Sequence, residues 1–295
     1  MPFCPYGLGV ALATPFKTDY SIDYEALGRL VDYQIEGGVD YIVVLGTTGE
    51  AVTMLDDERH EVARFVAARA AGRVPLVLGM SGNSTSHLVD AISKTDFSGY
   101  DALLSVVPFY NKPSQEGMFR HFEAVANASP LPVILYNVPG RTGANMEAAT
   151  TLRLATAFPG KVLGIKEASG KMGQIREILE KRPSGFSVIS GDDALTVPLM
   201  AMGAKGVISV IGNALPHEFG EVVHLCAKGD YTHASVLDRR MQPFYRALFA
   251  EGNPAGIKAL LNMKGLAEDV LRLPLTSVSE RVRAELRAGM EALNS

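Results

Sequence analysis

Short apolar, β-branched runs alternate with longer amphipathic stretches along most of the chain. The runs fall at 10–13, 41–45, 76–79, 102–107, 133–136, 162–166, 186–190 and 206–210. Most stop at a turn former or a polar residue: Thr14-Pro15, Gly46, Pro108, Asn137 and Gly191. Between them the spacing predicts helices, such as 24–36, which Gly37-Gly38 terminates. Asp56-Asp57-Glu58 place acids in the first turn of the next helix, where the helix dipole favours negative charge. Strand ends recur near the ~30-residue length of a strand–helix–strand unit, so the sheet is expected to be parallel with helices outside it. Eight such units fit a closed (β/α)8 TIM barrel better than an open doubly wound sheet. Strand signals stop after residue 215, and helical patterns follow at 216–228, 231–250, 254–266 and 279–293. The expected organisation is a catalytic barrel over 1–228 and a helical C-terminal extension over 229–295.

The sixth run, Val162-Leu163-Gly164-Ile165-Lys166, ends in a lysine. Lysine is depleted in strands and ordinarily sits on an edge or snorkels to water. Held instead in an apolar barrel mouth, its amine becomes a nucleophile able to form a Schiff base with a ketone. An unperturbed lysine is neutral in only about one molecule in a thousand near pH 7.5, so such a site must lower its pKa.

Barrel chemistry sits at the C-terminal ends of the strands. That rim carries Thr14, Thr47, Thr48, Tyr110, Tyr136, Arg141, Lys166, Gly191 and Ile208. Tyr136 and Lys166 end adjacent strands and can converge. Thr47-Thr48 between glycines is ordinarily a turn, but its backbone N–H groups could also receive a carboxylate. Arg141 in Pro139-Gly140-Arg141-Thr142-Gly143 is ordinarily a solvated loop residue, or else a bidentate carboxylate clamp. Glu167 is expected to face away from the site by strand alternation. Asp192-Asp193 is expected to cap the helix that follows.

Composition removes alternatives. The net charge of −4 gives no basic footprint for nucleic acid. No G-x-G-x-x-G fingerprint follows the first strand and no P-loop occurs. Cys4 and Cys226 lack metal-ligand spacing, and the six histidines are scattered, so no metal is expected. The two cysteines fit a reducing compartment, and the N-terminus has neither a basic region nor a long apolar run. A soluble cytoplasmic protein is expected.

Taken in order, Gly46-Thr47-Thr48-Gly49-Glu50, Pro108-Phe109-Tyr110-Asn111-Lys112-Pro113, Tyr136 through Gly143, Gly164-Ile165-Lys166-Glu167, Ser190-Gly191-Asp192-Asp193 and Gly206 through Val210 form one set. The set resembles the dihydrodipicolinate synthase and N-acetylneuraminate lyase family of Schiff-base barrel enzymes, over essentially the whole chain. The resemblance implies that Lys166 forms an imine with pyruvate and that the derived enamine attacks L-aspartate 4-semialdehyde, the entry reaction of lysine biosynthesis. It implies a proton relay of Tyr136, Thr47 and Tyr110, with Tyr110 contributed across a tight dimer. The Thr47 and Thr48 amides would hold the pyruvate carboxylate, Arg141 the carboxylate of the aldehyde, and Gly191 and Ile208 the floor beside Lys166. No cofactor is implied, and the expected assembly is a homotetramer built as a dimer of dimers. Two alternatives stay open: a lyase or aldolase acting on sugar acids, against which Arg141 argues, and a pyruvate-binding regulatory barrel without turnover.

Overall fold

Eight parallel strands close into one barrel in the computed structural model, which describes residues 3–294. They are β1 (Gly7–Ala11), β2 (Tyr41–Val44), β3 (Leu76–Gly79), β4 (Ala102–Val106), β5 (Val133–Asn137), β6 (Val162–Glu167), β7 (Ser187–Ser190) and β8 (Gly206–Ser209). Each strand pairs with the next in sequence, and β8 returns to β1. The (β/α)8 barrel expected from the periodicity is therefore the fold.

Strand alternation divides the apolar residues between two layers. Tyr41, Val43, Val77, Leu104, Ile134, Tyr136, Ile189 and Ile208 fill the barrel interior. Their strand neighbours face the surrounding helices: Ile42 and Val44 in one outer cluster, Leu103, Leu135, Ile165 and Val188 in another. The register sets Tyr136 beside Lys166, and Lys166 beside Ile189. Both functional candidates thus project from the same level of adjacent strands.

β1 departs from the sequence expectation of 10–13 by starting at Gly7 and ending at Ala11. Gly9, inside the strand, is a packing requirement. A Cβ there would lie 2.2 Å from Cζ of the buried Tyr41 ring. Past the strand end, the Ala13 N–H leaves the ladder and donates to Asn213 Oδ1 at 2.9 Å.

The C-terminal helices Tyr231–Ala247, Ala255–Met263 and Glu280–Asn294 follow the barrel helix Pro216–Ala227. Phe244, Leu248, Leu260, Val282 and Leu286 share one apolar cluster with Leu8, Leu30 and Phe219 of the barrel. A buried ion pair reinforces that contact, joining Lys258 of the extension to Glu50 in the loop after β2. Among the described residues, no helix is long and apolar enough to cross a membrane.

Candidate active site

Lys166 and Tyr136 form the centre of the rim. Lys166 is only 5% exposed, and its Nζ lies 4.4 Å from the centroid of the Tyr136 ring. Burial lowers its pKa from 10.5 to about 8; the negative charge of Asp193 opposes that fall and the positive charge of Arg141 assists it. A large fraction of the amine is therefore uncharged at mildly alkaline pH. Burial also pushes the Tyr136 phenol above its ordinary pKa, against the influence of Arg141 and of the nearby Thr47 side chain. At rest the phenol is thus a proton donor.

The ends of these two strands are pinned from behind. Glu167 points outward, as alternation predicts, and is buried. Its carboxylate accepts from Asn137 Nδ2 at 3.0 Å, Ser169 N–H at 3.0 Å and Gln174 Nε2 at 3.2 Å. Asn137 and Glu167 follow Tyr136 and Lys166 directly, so this polar cluster fixes both functional side chains without entering the pocket.

The loop after β2 has the geometry of an anion site. Its internal bonds use the Gly49 and Glu50 N–H groups, which donate to Gly46 and Thr47 carbonyls at 3.1 Å. The Thr47 and Thr48 N–H groups are left without acceptors among the described residues. Leu45 and Glu50, which bracket the loop, both adopt left-handed φ, near 59° and 54°, a conformation costly for side chains of this size. Tertiary contacts hold the loop in that shape. Thr14 Oγ1 donates to Gly49 O at 2.8 Å, and Glu50 is paired with Lys258. Asn253 Nδ2 donates to Thr48 Oγ1 at 3.0 Å.

Arg141 stands on a short helical turn, Pro139–Thr142, with Pro139 at its first position. Its guanidinium is exposed and donates to the Asn253 carbonyl at 3.3 Å. Asn253 therefore touches both the Thr48 loop and Arg141. Sequence reasoning missed it, since it lies 205 positions from Thr48 in the chain.

Gly191 borders Lys166 from the other side. A Cβ at position 191 would lie 2.7 Å from Ala168 Cβ and 3.1 Å from Lys166 Cε, so the lysine occupies the space that a side chain would take. Ile208 is buried in the barrel interior. The expectation that Asp192-Asp193 is a capping pair needs correction. Asp192 does cap, accepting from Ala194 N–H at 3.0 Å. Asp193 turns inward instead, and its Oδ2 accepts from Val210 and Ile211 N–H at 3.0 and 2.9 Å. One carboxylate suffices for the cap, and the short turn after it directs the second into the floor.

Tyr110 is not gathered with the others in this chain. It is 87% exposed, with φ at 72°. Its backbone N–H donates to Thr142 O at 3.2 Å, which ties it to the Arg141 turn, while its ring stands free of the chain's own core. Lys258 was also missed, although a lone lysine in the apolar helix Ala255–Met263 is a visible signal.

The chain is 53% identical to a curated 4-hydroxy-tetrahydrodipicolinate synthase of Parabacteroides distasonis, an alignment covering 95% of this chain and 96% of the relative. It superposes on a crystal structure of dihydrodipicolinate synthase from Aquifex aeolicus with a TM-score of 0.95, at 40% identity and 98% coverage of both chains. A solved monomeric dihydrodipicolinate synthase variant matches with a TM-score of 0.95 at 37% identity, covering 98% of this chain and 97% of the other. The dihydrodipicolinate synthetase family model matches residues 5–293, and the chain belongs to that family.

Proposed function

We infer that this pocket condenses pyruvate with L-aspartate 4-semialdehyde to give 4-hydroxy-tetrahydrodipicolinate, the reaction for which the chain's curated relatives are named. The observation that carries the reading is a buried lysine at a barrel strand end, lowered to about pKa 8 and packed on a tyrosine ring. A pocket that holds pyruvate by its carboxylate needs unpaired donors, and the Thr47 and Thr48 amides supply them.

The chemistry follows from these positions. The neutral Lys166 amine attacks the ketone carbon, and the resulting carbinolamine loses water as Tyr136 returns a proton to the leaving hydroxyl. The product is a protonated imine, which draws electrons from the adjacent methyl group. Loss of a methyl proton gives an enamine, whose carbon attacks the aldehyde. The amine of the adduct then displaces Lys166 and closes the ring. Each step moves a proton, which is why a tyrosine beside a threonine serves better than a tyrosine alone. The protonated imine is itself the electron sink, so the reading calls on no cofactor.

Arg141 binds the carboxylate of the aldehyde substrate in this scheme. Arg141→Ala is expected to lower kcat/KM for aspartate semialdehyde about tenfold to a hundredfold, the cost of losing a charged hydrogen bond. Imine formation with pyruvate alone should change little. A paired measurement of steady-state condensation and of borohydride trapping separates the two. Equal losses in both would remove the assigned role. A sugar-acid substrate is the lesser reading, and turnover of N-acetylneuraminate in preference to aspartate semialdehyde would restore it.

In this reading a neighbouring subunit completes the relay. An exposed tyrosine whose backbone is tied to the Arg141 turn supports a role in a neighbouring subunit, and the reading takes the assembly to be a dimer of dimers. Mixing Lys166→Ala subunits with Tyr110→Phe subunits should restore part of the activity absent from either alone. No recovery after verified subunit exchange would place Tyr110 in its own subunit's chemistry. The two free thiols, Cys4 and Cys226, suit a cytoplasmic location.

A further inference from the structure

Three buried acidic groups lie around the rim outside the catalytic set. Glu167 is satisfied by amide and backbone donors, and Glu50 is matched by Lys258. Asp193 differs from both. It is 2% exposed, its Oδ2 receives two backbone N–H groups, and its Oδ1 has no hydrogen-bond partner among the described residues. We propose that Asp193 is a positioning residue that supplies the fixed negative charge of the pocket floor, holding the β8 rim in place and setting the charge state of Lys166. The proposal rests on the reading of Lys166 as the Schiff-base lysine.

The geometry has two parts. Asp193 lies two positions after Gly191, against which Lys166 packs, and it binds the segment that follows Ile208 and Ser209. It therefore clamps the loop after β7 to the loop after β8, the two sides of the floor beside the lysine. Its charge also reaches Lys166. Burial raises the Asp193 carboxyl to about 6, with the Val210 and Ile211 amides and the Ser209 hydroxyl opposing the rise, so it is ionised at mildly alkaline pH. The other groups acting on this pair are Arg141, which lowers Lys166 further, and Asp192, which raises Asp193. The Tyr245 hydroxyl, from helix Tyr231–Ala247, also feels the Asp193 charge. Tyr136 contacts Lys166 through its ring.

The balance is deliberate in physical terms. An apolar pocket alone would depress an amine strongly and disfavour any cation within it. Condensation of the ammonium form with a ketone releases water and yields a protonated imine, so one positive charge is present before and after the step. A buried anion lets the pocket hold that charge while burial still frees the amine.

Asp193→Asn preserves an acceptor for the two backbone donors and removes the charge. The rate of imine formation with pyruvate, followed by borohydride trapping across pH, has an acid limb set by deprotonation of Lys166. In Asp193→Asn that limb should move to lower pH by about one unit, making trapping below the limb about tenfold faster than in the parent. Asp192→Asn removes the same charge one residue earlier and should leave the limb in place. An unmoved limb in folded Asp193→Asn overturns the proposal, as does an equal shift in both variants. Should Asp193→Asn not fold, Ser209→Ala removes the nearby hydroxyl that favours the ionised carboxylate and should move the limb the same way by a smaller step; an unmoved limb there also overturns it. Failure of the Schiff-base reading looks different, since trapping would then survive in Lys166→Ala.

Discussion

Lys166→Arg is expected to abolish condensation and pyruvate-dependent imine formation together, although it preserves positive charge and much of the side-chain length. A guanidinium stays protonated at every working pH and cannot become the imine nitrogen. Lys166→Ala should give the same result, because no second amine replaces the nucleophile. The unsubstituted enzyme should gain activity as pH rises towards about 8, where burial lets the Lys166 ammonium give up its proton. Neither variant should recover at high pH. A steady-state assay across pH checks this, and residual turnover in Lys166→Arg within tenfold of the parent would contradict the role.

The second large effect concerns stability. Lys258 and Glu50 are both essentially excluded from water and form an ion pair. Lys258 also donates to Val270 O at 2.8 Å and lies 4.0 Å over the Phe16 ring. Lys258→Ala leaves the Glu50 carboxylate buried without its counter-charge, and breaking a buried pair from one side costs about 3–5 kcal/mol. Denaturant unfolding should register that loss. Glu50 closes the loop that carries Thr47 and Thr48, so KM for pyruvate should rise as well. The double substitution Glu50→Gln with Lys258→Met removes both charges at similar volume and should regain much of the stability. A single Lys258→Ala that costs less than about 1 kcal/mol would show that the pair does not hold the loop.

The barrel was legible because short continuous apolar runs, buried on both faces, end at turn formers and recur at regular spacing. Placing Lys166, Tyr136, Thr47, Thr48, Arg141, Gly191 and Ile208 on one rim needed only the rule that strand C-termini share a face. What could not be read is what depends on packing between distant segments. The first strand begins before the run expected at 10–13, and Gly9 within it is required because Tyr41 fills the space beside it. Asp192 and Asp193 are equivalent in sequence, and only the short turn that follows Asp192 decides which caps and which is buried. Asn253 meets Thr48 and Arg141 through the C-terminal extension, a contact that no local pattern announces. The free standing of Tyr110 is likewise a tertiary fact.

Borohydride reduction in the presence of pyruvate, followed by peptide mass mapping, tests the central claim most directly. Lys258 makes the experiment discriminating, since burial lowers it to about 8 as well, yet its ion pair with Glu50 keeps it from any substrate. The account predicts one reduced pyruvate adduct, on the peptide containing Lys166, which diminishes when aspartate semialdehyde is added before the reductant. An adduct on Lys258 or another lysine, or a Lys166 adduct that aspartate semialdehyde leaves unchanged, would contradict it.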